Sequence, residues 1–129
     1  MSIDFSLDFK GEYIHIMHPP DYEITPESQG KLWTELSLAC KKYNCVKVLT
    51  EGSSHKREMG SMDVFYSGVQ VSKAIPGLVL AICIYEYVPD KMTTFFMNVA
   101  HNRGAYIEYF QDKRKALEWL GIKDAEPQP

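Results

Sequence analysis

Residues with acid–base or ligand chemistry gather in a few stretches of this chain. His15 and His18 sit near the end of an alternating apolar segment. Glu51, His55, Lys56, Arg57, Gly60 and Ser61 fall in the polar run E-G-S-S-H-K-R-E-M-G and the residue after it, and Asn102-Arg103-Gly104 follows V-A-H. A carboxylate with two imidazoles would suit proton transfer, and His18, Glu51 and His55 form a candidate set for convergence at the strand ends. Gly60-Ser61 with Lys56 or Arg57 suits a different task, because free N–H groups and the partial positive charge of a helix start attract a phosphate or carboxylate. A solvated loop ending in a helix cap explains the same residues without a ligand. Metal chemistry finds little support. His15 and His18 are three apart on a strand and so point to opposite faces, and no spacing here matches a known ligand pattern. No nucleophile elbow, phosphate loop or dinucleotide fingerprint occurs, so no catalytic motif, metal or cofactor is expected.

The elements that must place these residues can be read from periodicity. Ile3 to Phe9 alternates strictly, Lys10-Gly11 fits a turn, and Glu12 to His18 continues as a second strand. A two-residue turn would set Leu7 opposite Ile14 and Phe5 opposite Ile16, leaving Asp4, Ser6, Asp8, Tyr13, His15 and Met17 on the outer face. There His15 reads as part of an exposed cross-strand polar cluster. Thr25-Pro26 is an N-cap followed by a proline at the first helical position, opening a helix to about Tyr43 that buries Leu32, Leu36, Ala39, Cys40 and Tyr43. Val46 to Thr50 is a third strand and 51 to 60 a polar loop. A second helix runs from about Ser61 to Ala74 with Met62, Phe65 and Val69 on one stripe, and Gly68 permits close packing. Leu78 to Tyr85 is apolar on both sides, as for a central parallel strand. Asp90 opens a third helix with Met92, Phe95, Phe96 and Val99 inward. Ala105 to Phe110 is a fifth strand, and Asp112 caps a last helix that Gly121 ends.

The order ββαβαβαβα predicts an α/β fold. One mixed five-stranded sheet, parallel except for an N-terminal antiparallel edge strand, carries four helices. Residues 1–122 form the domain and 123–129 a flexible tail.

Within this frame Gly104 lies where a helix ends in a left-handed residue, and Arg103 suits the negative end of the helix dipole. Asn102 and Arg103 are therefore minor site candidates, at the opposite end of the sheet from 51–61. Lys113-Arg114-Lys115 reads as a solvated face. Tyr13, His15, Met17 and Tyr106 share the more polar side of the sheet. If contiguous, they would make a partner or dimer surface; partial cover by a helix or the tail is the competing explanation.

Composition agrees with an ordinary globular domain: 129 residues, 45% hydrophobic and 24% charged, with a formal net charge of −3. Lysines and arginines are scattered, without the basic stripe of a nucleic-acid binder. Cys40, Cys45 and Cys83 make neither a C-x-x-C pair nor an even disulfide set, and Cys40 and Cys83 read as buried thiols of a reducing cytoplasm. The N-terminal stretch alternates polar and apolar, unlike a signal peptide. The longest apolar run, Leu78 to Tyr85, is far short of the roughly 20 residues of a transmembrane helix.

Met62-Asp63-Val64-Phe65 with Gly68, then Asn98-Val99-Ala100-His101-Asn102-Arg103-Gly104, then Phe110-Gln111-Asp112 followed by Ala116-Leu117-Glu118-Trp119-Leu120 resemble small uncharacterised bacterial proteins of SpoIIAA-like, STAS/SEC14 type. The first half resembles that family in element order only. The resemblance, with the absence of catalytic motifs, implies a non-enzymatic regulatory or binding module, a candidate homodimer, engaging a protein partner or a small anionic or lipidic ligand; the cysteines imply a cytoplasmic one. STAS regulators that switch by phosphorylation carry an Asp-Ser-Ser-Gly-like motif at the start of the second helix. That motif is missing here, which argues against anti-sigma antagonism, although Ser61 stands at about the right place for phosphorylation. The alternative is a small enzyme using His18, Glu51 and His55.

Overall fold

The computed structural model describes residues 5–19, 23–52, 56–57, 60–85 and 90–122, with 56–57 described as backbone. Its strands are β1 (Ser6–Phe9), β2 (Ile14–Met17), β3 (Glu23–Ile24), β4 (Lys47–Gly52), β5 (Lys56–Arg57), β6 (Val79–Ile84) and β7 (Tyr106–Phe110). Its helices are α1 (Pro26–Tyr43), α2 (Ser61–Ala74), α3 (Lys91–His101) and α4 (Lys113–Leu120). The main sheet has the order β1-β2-β4-β6-β7, antiparallel only between β1 and β2. The expected mixed five-stranded sheet with four helices is thus present. Residues 123–129, expected to form a tail, lie outside the described residues.

Strands are laid down in one direction across the sheet, so right-handed crossovers put the connecting helices on a single face. Along β2, β4, β6 and β7 the side chains of Ile14, Ile16, Val48, Leu80 and Ile107 meet α1, α2 and α3 in the larger core. Their alternates Leu49, Ala81 and Cys83 meet Ala116, Leu117 and Leu120 of α4 and Ile122 in a smaller one. Both sides of β6 are covered, as its unbroken apolar run requires.

Local chemistry sets the boundaries. Thr25 Oγ1 accepts from Ser28 N at 3.1 Å and Pro26 opens α1, while Asn44, left-handed at φ 52, closes it. Asp90 Oδ1 accepts from Thr93 N and Asp112 Oδ1 from Arg114 N, each at 2.8 Å. Gly121 ends α4 at φ 79.

The structure corrects several readings. In the hairpin Leu7 pairs with Ile16 and Phe9 with Ile14, around a wider loop in which Gly11 takes φ 93 and Lys10 N donates to Tyr13 O at 2.8 Å. The slip is two residues, one full side-chain period, so the paired residues keep their expected faces. Residues 51–60 are not simply a loop: Glu51 and Gly52 extend β4, and β5 pairs in parallel with β3. The buried face of α2 is Val64, Ser67, Gly68, Val71 and Ser72, with Met62 exposed. Small residues win this face because close helix contact decides it. A Cβ added to Gly68 would lie 2.7 Å from Val99 Cγ1 of α3, so the two helices meet where a side chain is absent. In α3, Phe96 and Val99 are buried as expected, while Phe95, also expected inward, is 37% exposed. No described helix is long and apolar enough to cross a membrane.

Candidate functional site

At the carboxyl ends of the parallel strands, on the α4 face, four elements converge on one carboxylate. Lys47, Leu49 and Glu51 alternate onto that face of β4, so Glu51 enters it beside His15 of β2 rather than a loop. Only 7% of Glu51 is exposed. His15 Nε2 donates to Glu51 Oε1 at 2.6 Å, and the Tyr85 hydroxyl, just past β6, donates to Oε2. Lys113 Nζ, from the first residue of α4, stands 3.7 Å from Oε1.

Burial by itself would raise the Glu51 pKa. The hydrogen bonds from His15 and Tyr85, with the charges of Lys113 and His15, outweigh it and hold the carboxyl at about 2. The partners respond in the complementary sense. Burial, then the hydrogen bond and charge of Glu51, push the Tyr85 hydroxyl well above its ordinary value. Burial and the charges of Glu51 and Glu12 raise Tyr13. Burial likewise pushes the Cys83 and Cys40 thiols up to about 11, so neither presents a thiolate near neutral pH. A carboxylate held at about 2 is a weak proton acceptor, and its hydrogen bond with Nε2 fixes the orientation of the His15 ring.

Of the expected trio of His18, Glu51 and His55, the structure places the first two on opposite faces. His18 N donates to Glu51 O at 2.9 Å, but its buried ring packs edge-on to Phe5, which belongs to the larger core on the other face. His55 lies outside the described residues. Among the described residues no group of three His, Cys, Asp or Glu side chains is placed to hold a metal ion.

The start of α2 is arranged differently from an anion cradle. Gly60 is its N-cap and donates from N to Asp63 Oδ2 at 3.2 Å, while Ser61 is the exposed first helical residue. Arg57 is placed only through the backbone of β5. Asp63, Asp90 and Asp112 already put carboxylates at three helix starts, where a bound anion would meet like charge.

Asn102 and Arg103 serve the end of α3. Arg103 Nη1 donates to Val99 O at 3.5 Å, its guanidinium sits 5.4 Å from the Phe65 ring centroid, and Gly104 takes φ 90. The surface of Tyr13, His15, Met17 and Tyr106 is divided, because α4 packs on β4, β6 and β7 between them. Lys113 is not merely solvated: it faces Glu51, whereas Arg114 is exposed and pairs with Glu118 at 3.7 Å.

The opposite face holds a feature that periodicity alone did not single out. A partly open cleft of about 40 Å³ lies between the first turns of the three packed helices, lined by Gln29, Val64, Ser67, Thr93, Phe96 and Tyr109 among others. Trp33 Nε1 donates to Ser67 Oγ at 2.9 Å and Gln29 Nε2 approaches it at 3.5 Å. The available signal was a polar residue, Ser67, three positions after Val64 and four before Val71 on one helical stripe.

No protein-family profile and no curated protein sequence matches the chain. Among solved structures it is similar to an uncharacterized protein of the DUF3478 family from Shewanella loihica PV-4, described as having a SpoIIAA-like fold. The two share 17% identity at a TM-score of 0.51, over 90% of this chain and 91% of the other. The element order, the sheet topology and this likeness agree: the chain has a SpoIIAA-like fold.

Proposed function

We propose that the protein is a non-enzymatic regulatory or binding module of STAS-like type, working at the carboxyl edge of its sheet on a protein partner or a small lipidic ligand. One observation carries this reading. The buried carboxylate at that edge is saturated by His15, Tyr85 and Lys113, so it contributes structure and a fixed charge pattern rather than a proton acceptor. Acidic groups at the helix starts favour an uncharged ligand over an anionic one. The hydrogen bond from His15 to Glu51 weighs against the enzyme reading built on His18, Glu51 and His55, because it occupies the carboxylate that reading needs as a base.

Thermal shift with ligand panels, together with native mass spectrometry, tests the proposal. A ligand that raises Tm, or a dimer or complex in the gas phase, supports it. A monomer whose Tm no ligand moves, or a turnover abolished by His15→Ala, overturns it. Regulation through Ser61 is a narrower version, supported by its exposure at the first position of α2. Phosphoproteomics that recovers this peptide only unmodified removes that version.

A further inference from the structure

We infer that the cleft between α1, α2 and α3 binds the neutral carbonyl group of a small ligand, an amide or an ester; this rests on the binding-module reading and names its ligand class. Ser67 is 4% exposed and its oxygen receives two N–H donors, from Trp33 at 2.9 Å and Gln29 at 3.5 Å. A hydroxyl has two acceptor sites and one hydrogen. With both acceptor sites facing donors, the hydrogen remains to be given. Ser72 in the same helix returns its hydrogen to Gly68 O at 2.9 Å, one turn back. Ser67 makes no such bond among the described residues, and its side chain lines the cleft. A buried hydroxyl that lines a cavity with its hydrogen still to give selects a hydrogen-bond acceptor.

The surroundings decide which acceptor. Ile24, Val64, Met92 and Phe96 supply apolar walls, and Gln29, Thr93 and Tyr109 are uncharged polar neighbours. Among the described residues the cleft lining carries no ionised side chain to pair with a carboxylate, so an amide or ester carbonyl, which needs no counter-ion, suits it better. About 40 Å³ exceeds the space of a single water and suits the end of a molecule, with the remainder outside. The position, at the carboxyl ends of the strands, is where open α/β sheets take ligands.

The test is an NMR titration of the whole chain with N-methylacetamide, methyl acetate and sodium acetate, read at the indole N–H of Trp33, with Trp119 as the internal control. The expected result is saturable movement of Trp33 with the amide and the ester while Trp119 stays still, and acetate weaker by about tenfold or more. Ser67→Ala should weaken binding about fivefold. Met92→Phe, which keeps the hydroxyl and fills the cleft, should abolish it, so the inference remains testable if Ser67→Ala does not fold. A motionless Trp33 signal, acetate binding equal to the amide, or unchanged affinity in Met92→Phe overturns the assignment. If Trp33 stays still while another ligand raises Tm or a complex forms, the cleft falls and the module reading stands. If nothing binds and no complex forms, both fall.

Discussion

The two faces of the sheet are held by different physics. Against α1, α2 and α3, Ile14, Ile16, Val48 and Leu80 are fully buried, and buried polar groups there such as Ser67 and Ser72 are uncharged hydroxyls held by neutral partners. Against α4 the apolar cluster is smaller, and its carboxyl end is completed by a charge, Glu51, with its donors around it. Hydrophobic burial is non-directional and independent of protonation. A buried carboxylate is directional and is stabilising only while ionised and fully bonded. One face therefore makes the domain stable, and the other makes its stability depend on pH and on particular atoms.

Substitutions can break this contrast, the largest effect first. Leu80→Ala opens a cavity in the larger core and should cost about 2–5 kcal/mol by chemical denaturation, equally at pH 7 and pH 3. Gly68→Ala forces a Cβ onto Val99, a stiff β-branched side chain, and should cost about 1–3 kcal/mol by the same measurement. Glu51→Gln should cost about 1–3 kcal/mol at pH 7, through lost charge and unmatched donors. The Glu51 pKa falls from 4.5 to about 2 on folding, so its contribution is present above about 4.5 and is lost as pH falls toward about 2. Wild type should thus lose stability across that interval, the Gln variant should lose less, and the two curves should converge in acid. Parallel curves would place the pH dependence elsewhere. Tyr85→Phe removes one of the donors and should cost about 1 kcal/mol, with the acid transition moved to higher pH as the Glu51 pKa rises. Arg103→Ala, at the far end of the sheet, should cost about 0.5–1 kcal/mol and leave the acid transition where it was.

Much of the scaffold was legible because its signals are local. Thr25-Pro26, Asp90, Asp112, Gly104 and Gly121 mark their boundaries through backbone hydrogen bonding and φ alone, and the strict alternation of Ser6 to Phe9 survives a slip of two residues. The candidate site was legible only in part. The carboxyl ends of the strands and Glu51 were expected, but His15 was placed on an exposed face and Lys113 in solvent. Each turned out to depend on where α4 lies, which no spacing within β2 or α4 specifies. Ser67 stayed hidden because its value comes from Trp33, 34 positions earlier in the chain.

By itself, then, the sequence determined the five main strands, the four helices and their order, and which residues of the strands share a face, since periodicity, caps and turns act between residues a few positions apart. It did not fix the buried face of α2. Only the tertiary structure decided that Glu51 is a closed ion network, that His18 turns away from it, and that Ser67 opens into a cleft. Those outcomes require side chains from separate elements to meet within hydrogen-bond distance, and the meeting is set by how the helices pack on the sheet.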